Sequence, residues 1–523
     1  MEAFYGDNRL LAVPFVAVCL MQLFWFLIKG KKDGLGQRPM WMTDLIVCLS
    51  VAFTVGTLLH QYPGTKVPVS TDASVFLYIG KQMHAGKIPY VDLFDHKGPA
   101  LYLIQYLGYL IWPSSVAGGV WILEVITYAV TAWLMMKLTE PVVRDYRSKY
   151  LALMMVLVAC GFKMYSGGNF TEEHALPWIA LSAWIFFLFF QSGRYTRLQI
   201  MILGFSCMVV LLLQVNLVTV WVAFVPVVLI MLLQKKRYQD VGCCILYFLI
   251  GMGAAFLPVL IWAIHDHFLK AMWDVYIRFN FEYSENMAPG LQGYLKLTKD
   301  TLGRIWPALV ALVVALIRDP RSKPQWLNLW FLAVSIVLTQ MSGRNSPYYR
   351  LVLFPAMILP FVGFFDCLWD CYCGKKTRTR NDAIVILSCV LLVSASAAHR
   401  YMSNRNGTGD AVVVRYLKEN TTEEDTVLIV GNYAWPYIAA DRTTENRFFF
   451  QWPPIDVSDE LYAEFLTELE DHPSDIVILP EEENSKLQIP GEGKIDQALE
   501  LLEEWGYQKE QYDGFRVYLA PED

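Results

Sequence analysis

The chain has 523 residues, 55% hydrophobic and only 18% charged, with a mean hydropathy of +0.35 and a formal net charge of −6. Soluble domains carry about 25% charged residues, so a wholly water-soluble fold is excluded and most of this chain meets lipid. Nucleic acid is excluded as a partner too, because phosphate binding needs a basic face and the long polar part of this chain is acidic.

Apolar runs of roughly 17 to 25 residues, the length of a bilayer-crossing helix, recur along the sequence. In lipid the backbone must satisfy its own hydrogen bonds, so these runs are helices. They predict about twelve spans, near 10–28, 43–60, 116–138, 150–165, 175–191, 198–213, 215–233, 241–264, 301–317, 326–341, 351–371 and 383–399. The first is not a signal peptide, since "MEAFYGDNR" is not basic and no small-x-small cleavage site follows. Basic residues mark every second loop: Lys29, Lys31, Lys32 and Arg38; Arg144, Arg147 and Lys149; Arg194 and Arg197; Lys235, Lys236 and Arg237; Arg318, Arg321 and Lys323; Lys375, Lys376, Arg378 and Arg380. Such loops belong in the cytoplasm. Loops 61–99, 166–174, 265–300 and 342–350, with both termini, are then expected outside. All ten cysteines lie in apolar spans or at their cytoplasmic ends, as Cys367, Cys371 and Cys373 do, so no disulfide framework is expected.

Loop 61–99 opens with Thr71 or Asp72 as a helix N-cap. Val75, Phe76, Ile79 and Met83 then line one face of a short surface helix that Gly86 ends. Next comes "VDLFDHKGP", which gathers Asp92, Asp95, His96 and Lys97 within six residues. A second, half-embedded helix, "ALYLIQYLGYLIW", comes after it and is broken by "PSS". Loop 166–174, "SGGNFTEEH", puts Glu172, Glu173 and His174 at the mouth of the fifth span, and loop 342–350, "SGRNSPYYR", carries Arg344, Tyr348, Tyr349 and Arg350. Charges at a membrane edge are costly to bury, so convergence of these loops on one cavity would mark a functional site. Taken singly, each reads better as solvated charge beside a helix end; it is their clustering in three loops that brings the two readings level. Charges within spans and a pseudo-symmetric pair of halves, the marks of a transporter, are not evident. His265-Asp266-His267 reads as a solvated loop start, and Gly251-Met-Gly253 as helix packing, since no strand precedes it. The sequons at Asn169, Asn406 and Asn420 read as incidental.

From about Asn404 the composition changes: residues 404–523 hold 9 Lys/Arg against 27 Asp/Glu, a net −18, which leaves +12 on the remainder. "DTVLIVG", "SDIVILP" and "FRVYLAP" read as strands, and "DVSDELYAEFLTELEDH" and "KIDQALELLEEWGY" as amphipathic helices. The expected organisation is a transmembrane body over 1–400 and an acidic extracytoplasmic α/β domain over 404–523.

The stretch "TDASVFLYIGKQMHAGKIPYVDLFDHKGPALYLI" resembles the first extracytoplasmic loop of bacterial membrane glycosyltransferases of the GT-C superfamily. It is similar in particular to the branch of protein O-mannosyltransferases and lipid A aminoarabinose transferases, which pairs an early aspartate with a later acidic-Lys-Pro motif. "GGNFTEEHALPWIALSAWIFF" and "SGRNSPYYRLVLFPAMILP" resemble later parts of that branch in the same order, so the likeness covers about 65–360. The relatives often have Asp-Glu where this chain has Asp72-Ala73, which shifts a second carboxylate role elsewhere or removes it.

The resemblance implies a GT-C-like fold in the cell membrane and an inverting transfer of a monosaccharide from a polyprenyl-phosphate donor. The acceptor is a cell-wall polymer, a lipid or a protein. It implies Asp72 as the base that activates the acceptor hydroxyl and Lys97, then Arg344 with Arg350, as cations for the donor phosphate. Asp95 would orient Lys97 or bind a cation; Glu172 or Glu173 would hold sugar hydroxyls or the acceptor. His96, His174, Tyr348 and Tyr349 complete the expected substrate surface. No cofactor is implied with certainty; a divalent cation stays open, with Asp72, Asp95 and His96 to hold it. Read without the resemblance, Asp72 is a helix cap and His96 a hydrogen-bonded loop residue. The rival functions are a lipid-linked glycan transporter or flippase, a polysaccharide polymerase or ligase, and a catalytically silent scaffold.

Overall fold

The computed structural model describes residues 40–286, 289–341, 343–373, 383–406, 412–480, 492–512 and 514–521. Among them, seven helices are long and apolar enough to cross a membrane: Trp41–Leu58, Val116–Thr139, Thr171–Ser192, Tyr238–His265, Leu291–Arg318, Pro347–Cys371 and Val385–Arg405. The chain is a multi-pass membrane protein. The span expected at 10–28 and the basic residues at 29–38 and 375–380 lie outside the described residues.

The twelve expected spans are not all matched by helices of spanning length. Arg197–Leu213 and Thr219–Gln234 have 17 and 16 residues, about 25 Å at 1.5 Å per residue, against a hydrocarbon core of about 30 Å. The run at 150–165 is not one regular helix either. The α-helix Tyr146–Met154 passes into π-helix at Met155–Cys160 and a 3-10 turn at Gly161–Lys163, where the Tyr165 hydroxyl donates to the Leu157 carbonyl. Hydropathy reports that a segment is apolar, not that its hydrogen-bond register stays α-helical.

The residues group into two compact units. Of the described residues, the first comprises those within 1–65, 121–259 and 287–405, the second those within 66–120, 260–286 and 406–523. In the first unit, helices meet at glycines. A Cβ on Gly251 would lie 2.0 Å from the Met201 carbonyl oxygen, and one on Gly204 2.0 Å from that of Phe248, so only glycine fits. Gly251 therefore has the packing role expected of it, whereas Gly253 has nothing within 4 Å. Arg400, buried at 2% exposure, donates to the Thr57 and Leu59 carbonyls at 2.8 and 2.9 Å and to Thr65 Oγ1 at 2.9 Å. It thereby satisfies carbonyls at the C-terminus of Met40–Leu58, which no intrahelical N–H can reach. The basic loop after the third span is paired rather than solvated. Arg147 grips Asp145 with two bonds at 2.9 and 2.7 Å, Lys149 meets Asp44 at 2.7 Å, and both cations are buried.

The second unit holds a four-stranded sheet in the order β1-β2-β4-β3: β1 Val427–Ile429, β2 Ile476–Pro480, β3 Gln508–Tyr512, β4 Phe515–Leu519. β1 and β2 run parallel and are buried throughout, which is why both read as unbroken apolar runs. β4 pairs antiparallel with β2 and β3. β3, "QKEQY", is exposed along its whole length and carries charge, as edge strands do to discourage further pairing; with only Tyr512 at its end to flag it, it escapes hydropathy. Helix Asp459–Asp471 is capped by Ser458, whose Oγ accepts from the Leu461 N–H at 3.4 Å. Helices Thr71–His84 and Pro99–Ile111 cross at Gly80, where a Cβ would sit 2.5 Å from Gln105 Cβ. Ser74 Oγ accepts from the Ala434 N–H at 3.0 Å, Lys87 pairs with Glu445 at 2.5 Å, and Lys81 pairs with Asp441.

Candidate active site

In the second unit the turn Ile88–Lys97 is tightly wound. Tyr90 takes a left-handed backbone (φ 68°), its N–H donates to the Leu93 carbonyl at 2.9 Å, and Asp92 Oδ2 accepts from the Ile88 N–H at 2.6 Å. This turn delivers Asp95 to the interior, 2% exposed. The Tyr102 hydroxyl donates to Asp95 Oδ2 at 2.9 Å and accepts from the Lys97 N–H at 3.1 Å, while the Tyr90 hydroxyl donates to the Lys97 carbonyl at 2.8 Å. Burial pushes the Asp95 carboxyl up to about 6, against the attraction of Lys97 and the Tyr102 hydrogen bond, and the nearby Asp72 charge adds to the rise. Burial also holds Tyr90 and Tyr102 well above the usual phenol range, so both remain neutral donors. Asp72, Asp95 and Lys97 thus form one electrostatically linked set. Lys97 is half-buried, immediately before Gly98, the N-cap of a helix with Pro99 in its first turn.

Two readings of this loop are corrected. The N-cap of Thr71–His84 is Ser70, whose carbonyl accepts the first helical bond from the Ser74 N–H at 2.9 Å; Thr71 and Asp72 are already helical. Asp72 lies in the first turn, where the helix dipole favours a carboxylate without any capping bond. The set Asp72, Asp95 and His96 does not make a metal site: among the described residues no group of three or more His, Cys, Asp or Glu is placed to hold a metal ion. His96 Nδ1 stands 3.6 Å from Asp95 Oδ1, beyond hydrogen-bond range. Its ring packs near Phe279 and Tyr283, at 5.7 and 5.5 Å, and Asn280 Nδ2 donates to its carbonyl at 2.6 Å.

In the first unit, loop 166–174 is a run of left-handed backbone, with φ of 50° at Ser166, 102° at Gly167, 90° at Gly168 and 62° at Asn169. The two non-glycine positions each cost about 1–2 kcal/mol. The run continues straight into helix Thr171–Ser192 and buries Glu172, Glu173 and His174 at 1%, 0% and 4% exposure. The Asn169 N–H lies 2.6 Å from Glu124 Oε1 and 3.2 Å from Glu173 Oε2. The Thr171 hydroxyl stands 3.0 Å from Glu172 Oε2 and 2.5 Å from Gln214 Oε1, one of which takes its proton. Phe170 stacks on Tyr348 at 3.8 Å and 6°, so loops 166–174 and 342–350 meet. Arg350 is buried: it donates to Thr301 Oγ1 of helix Leu291–Arg318 at 3.1 Å and, within its own loop, to the Ser346 carbonyl at 2.8 Å and to Asn345 Oδ1. Tyr349 is buried; Arg344 is half-buried.

The expected site residues therefore form two sets, Asp72, Asp95, His96 and Lys97 in the second unit and the remaining seven in the first. The sequence reading missed Glu124, fully buried within Val116–Thr139, and Gln61, 1% exposed. Charge within a span is one mark of a transporter. Glu124 is such a charge, and a lone acid in "VAGGVWILEVITYAV" was the available signal.

Residues 38–393 match the family model described as putative competence-induced protein Ccs4 N-terminal domain. No curated protein matches the sequence significantly. Among solved structures, ArnT from Cupriavidus metallidurans bound to undecaprenyl phosphate is similar, with a TM-score of 0.62 and 12% identity over 92% of this chain and 99% of that one. Its apo state gives 0.57 and 13% over the same shares. Archaeal oligosaccharyltransferase AglB from Archaeoglobus fulgidus, in complex with an inhibitory peptide and a dolichol-phosphate, gives 0.47 and 13%, over 84% of this chain and 69% of that one. At such identities the likeness is one of fold alone, the fold of ArnT.

Proposed function

We infer the function from a premise of family and fold: the chain belongs to the putative competence-induced Ccs4 family through its N-terminal domain, and it has a GT-C fold. It is a glycosyltransferase that moves a monosaccharide from a polyprenyl-phosphate donor to an acceptor on the outer face of the membrane. The observation that carries this reading is the buried Asp95, tied by Tyr90 and Tyr102 to the half-buried Lys97, on a fold that in ArnT is found with undecaprenyl phosphate. The shorter helices complete a twelve-span body over 1–400, with the acidic 404–523 segment outside.

In the proposed reaction the acceptor oxygen bonds to the anomeric carbon as the bond from that carbon to the phosphate oxygen breaks. A single displacement of this kind inverts the configuration. Asp72 takes the acceptor proton. The electron pair of the broken bond leaves on the polyprenyl phosphate, and the Lys97 ammonium meets the charge that develops there. Asp95, buried beside Lys97, fixes the lysine's position through the backbone bonds that Tyr90 and Tyr102 make. Glu172 and Tyr348 supply sugar or acceptor contacts. Arg344 is the second cation, because a guanidinium can grip phosphate oxygens with two parallel bonds.

The test is transfer of label from a panel of radiolabelled polyprenyl-phosphate sugars to a membrane extract, with a related transferase as positive control. Absence of label with every donor, while the control transfers, overturns the reading. Asp72→Asn is expected to lower transfer by about 10²–10⁴-fold, the usual contribution of a general base; near-normal transfer would leave Asp72 no role as base.

A further inference from the structure

Glu124 belongs to no expected interaction, and it lies against Glu173, which the resemblance offered for sugar hydroxyls or the acceptor. One backbone N–H, that of Asn169, reaches an oxygen of each, at 2.6 and 3.2 Å, so both carboxyl groups crowd around a single hydrogen. Both residues are fully buried, and neither forms a salt bridge among the described residues. Glu124 Oε2 and Glu173 Oε1 are buried with no hydrogen-bond partner. The groups that face them are Tyr128 on the helix of Glu124, Tyr165 before the turn, Glu172 beside Glu173, and Gln61 across Gly168; none is Lys or Arg. Two carboxylates this close and this dry cannot both ionise, and the stable arrangement holds one proton between them.

We propose that Glu124 and Glu173 share one proton, and that the resulting acid–carboxylate pair is the clamp that holds the left-handed turn Ser166–Asn169. Glu124 is then a positioning residue for the loop. The turn needs an acceptor for the Asn169 N–H, and hydrogen bonds to an ionised acceptor are about twice as strong as neutral ones. The clamp leaves no room for a side chain at Gly168, where a Cβ would lie 2.8 Å from both Glu124 Oε1 and Gln61 Oε1. Directly after the turn come Phe170, stacked on Tyr348, and the carboxylate of Glu172. Through these the clamp sets contacts assigned above to the sugar or acceptor, a consequence that rests on the transferase reading; the shared proton itself does not.

Infrared spectroscopy of the purified protein in lipid nanodiscs at neutral pH, in H2O and D2O, tests the proton. The wild-type minus Glu124→Gln difference spectrum is expected to contain a carboxylic-acid C=O band that shifts in D2O, and the E124Q/E173Q double variant is expected to lack it. An unchanged carboxylic-acid region in the double variant overturns the proposal. Elemental analysis finding one bound cation per wild-type chain, lost in the double variant, also overturns it in favour of a cation between the carboxylates. In the transfer assay Glu124→Gln, whose amide can replace both hydrogen bonds, is expected to stay within about threefold of wild type. Glu124→Leu, which cannot, is expected to fall by at least tenfold. Equal losses in the two variants would refute the positioning role. A wild type that transfers nothing would sink the transferase reading and leave the infrared result intact.

Discussion

Replacing Asp95 by Asn is expected to stabilise the protein at neutral and alkaline pH while it lowers transfer. The Asp95 carboxyl is pushed from its ordinary 3.8 to about 6, chiefly because it is buried. A raised acid contributes stability that is fully present below pH 3.8, where both states are protonated, and that is lost as pH rises through 6. The displacement is about two pKa units at 1.36 kcal/mol each, so ionised Asp95 costs the native state about 3 kcal/mol at pH 8. Roughly half of that has already developed by pH 5, where the unfolded chain is ionised and the folded one is not. Asn has nearly the same shape, keeps an oxygen to accept from Tyr102, and never ionises. If the second unit, about 200 residues, unfolds cooperatively, the upper limit is a rise in melting temperature of about 6–12 °C at pH 8. The assay is thermal unfolding of detergent-solubilised wild type and Asp95→Asn, followed by tryptophan fluorescence from pH 5 to 8. An Asn variant that melts at or below wild type at pH 8, or a difference that does not grow with pH, would refute the argument. The accompanying loss of transfer, expected to exceed tenfold, would show that the native state holds this charge for its chemistry.

Three other outcomes are expected. Gly80→Ala would place a Cβ 2.5 Å from Gln105 Cβ and 2.6 Å from its carbonyl carbon; with backbone on one side of the clash, a loss of about 1–3 kcal/mol is expected as a lower melting temperature. Arg400→Ala strips the Thr57 carbonyl of its Arg400 donor in a buried position and leaves the Leu59 carbonyl only the long bond from the Tyr62 N–H at 3.4 Å. At about 1–3 kcal/mol for each unmet group, its monodisperse yield in size-exclusion chromatography should fall well below wild type, and Arg400→Lys should recover only part of it. Lys97→Met removes the cation that holds the Asp95 acid down; besides weaker donor use, the acid limb of the pH–rate profile should move to higher pH, and an unmoved limb would count against the coupling.

Much of the architecture was legible because lipid imposes a one-dimensional rule: a long apolar run must be a helix. The spans at 43–60, 116–138, 175–191, 241–264, 301–317, 351–371 and 383–399 come from it, as do β1, β2 and β4 from buried runs between breakers. The rule fails where hydropathy and hydrogen-bond register part company, as at Met155–Cys160, and where a strand has nothing to bury, as at Gln508–Tyr512. The motif "VDLFDHKGP" could be recognised from sequence, because its residues are neighbours along the chain. That Asp95 is the buried member of it, and His96 the one set against aromatic rings, depended on Tyr90, Tyr102, Phe279 and Tyr283, which only folding brings there. The Glu124–Asn169–Glu173 contact spans 45 and 4 residues of sequence. Linear spacing carries no information about a partner on another helix, so that pairing was decided by the tertiary structure alone.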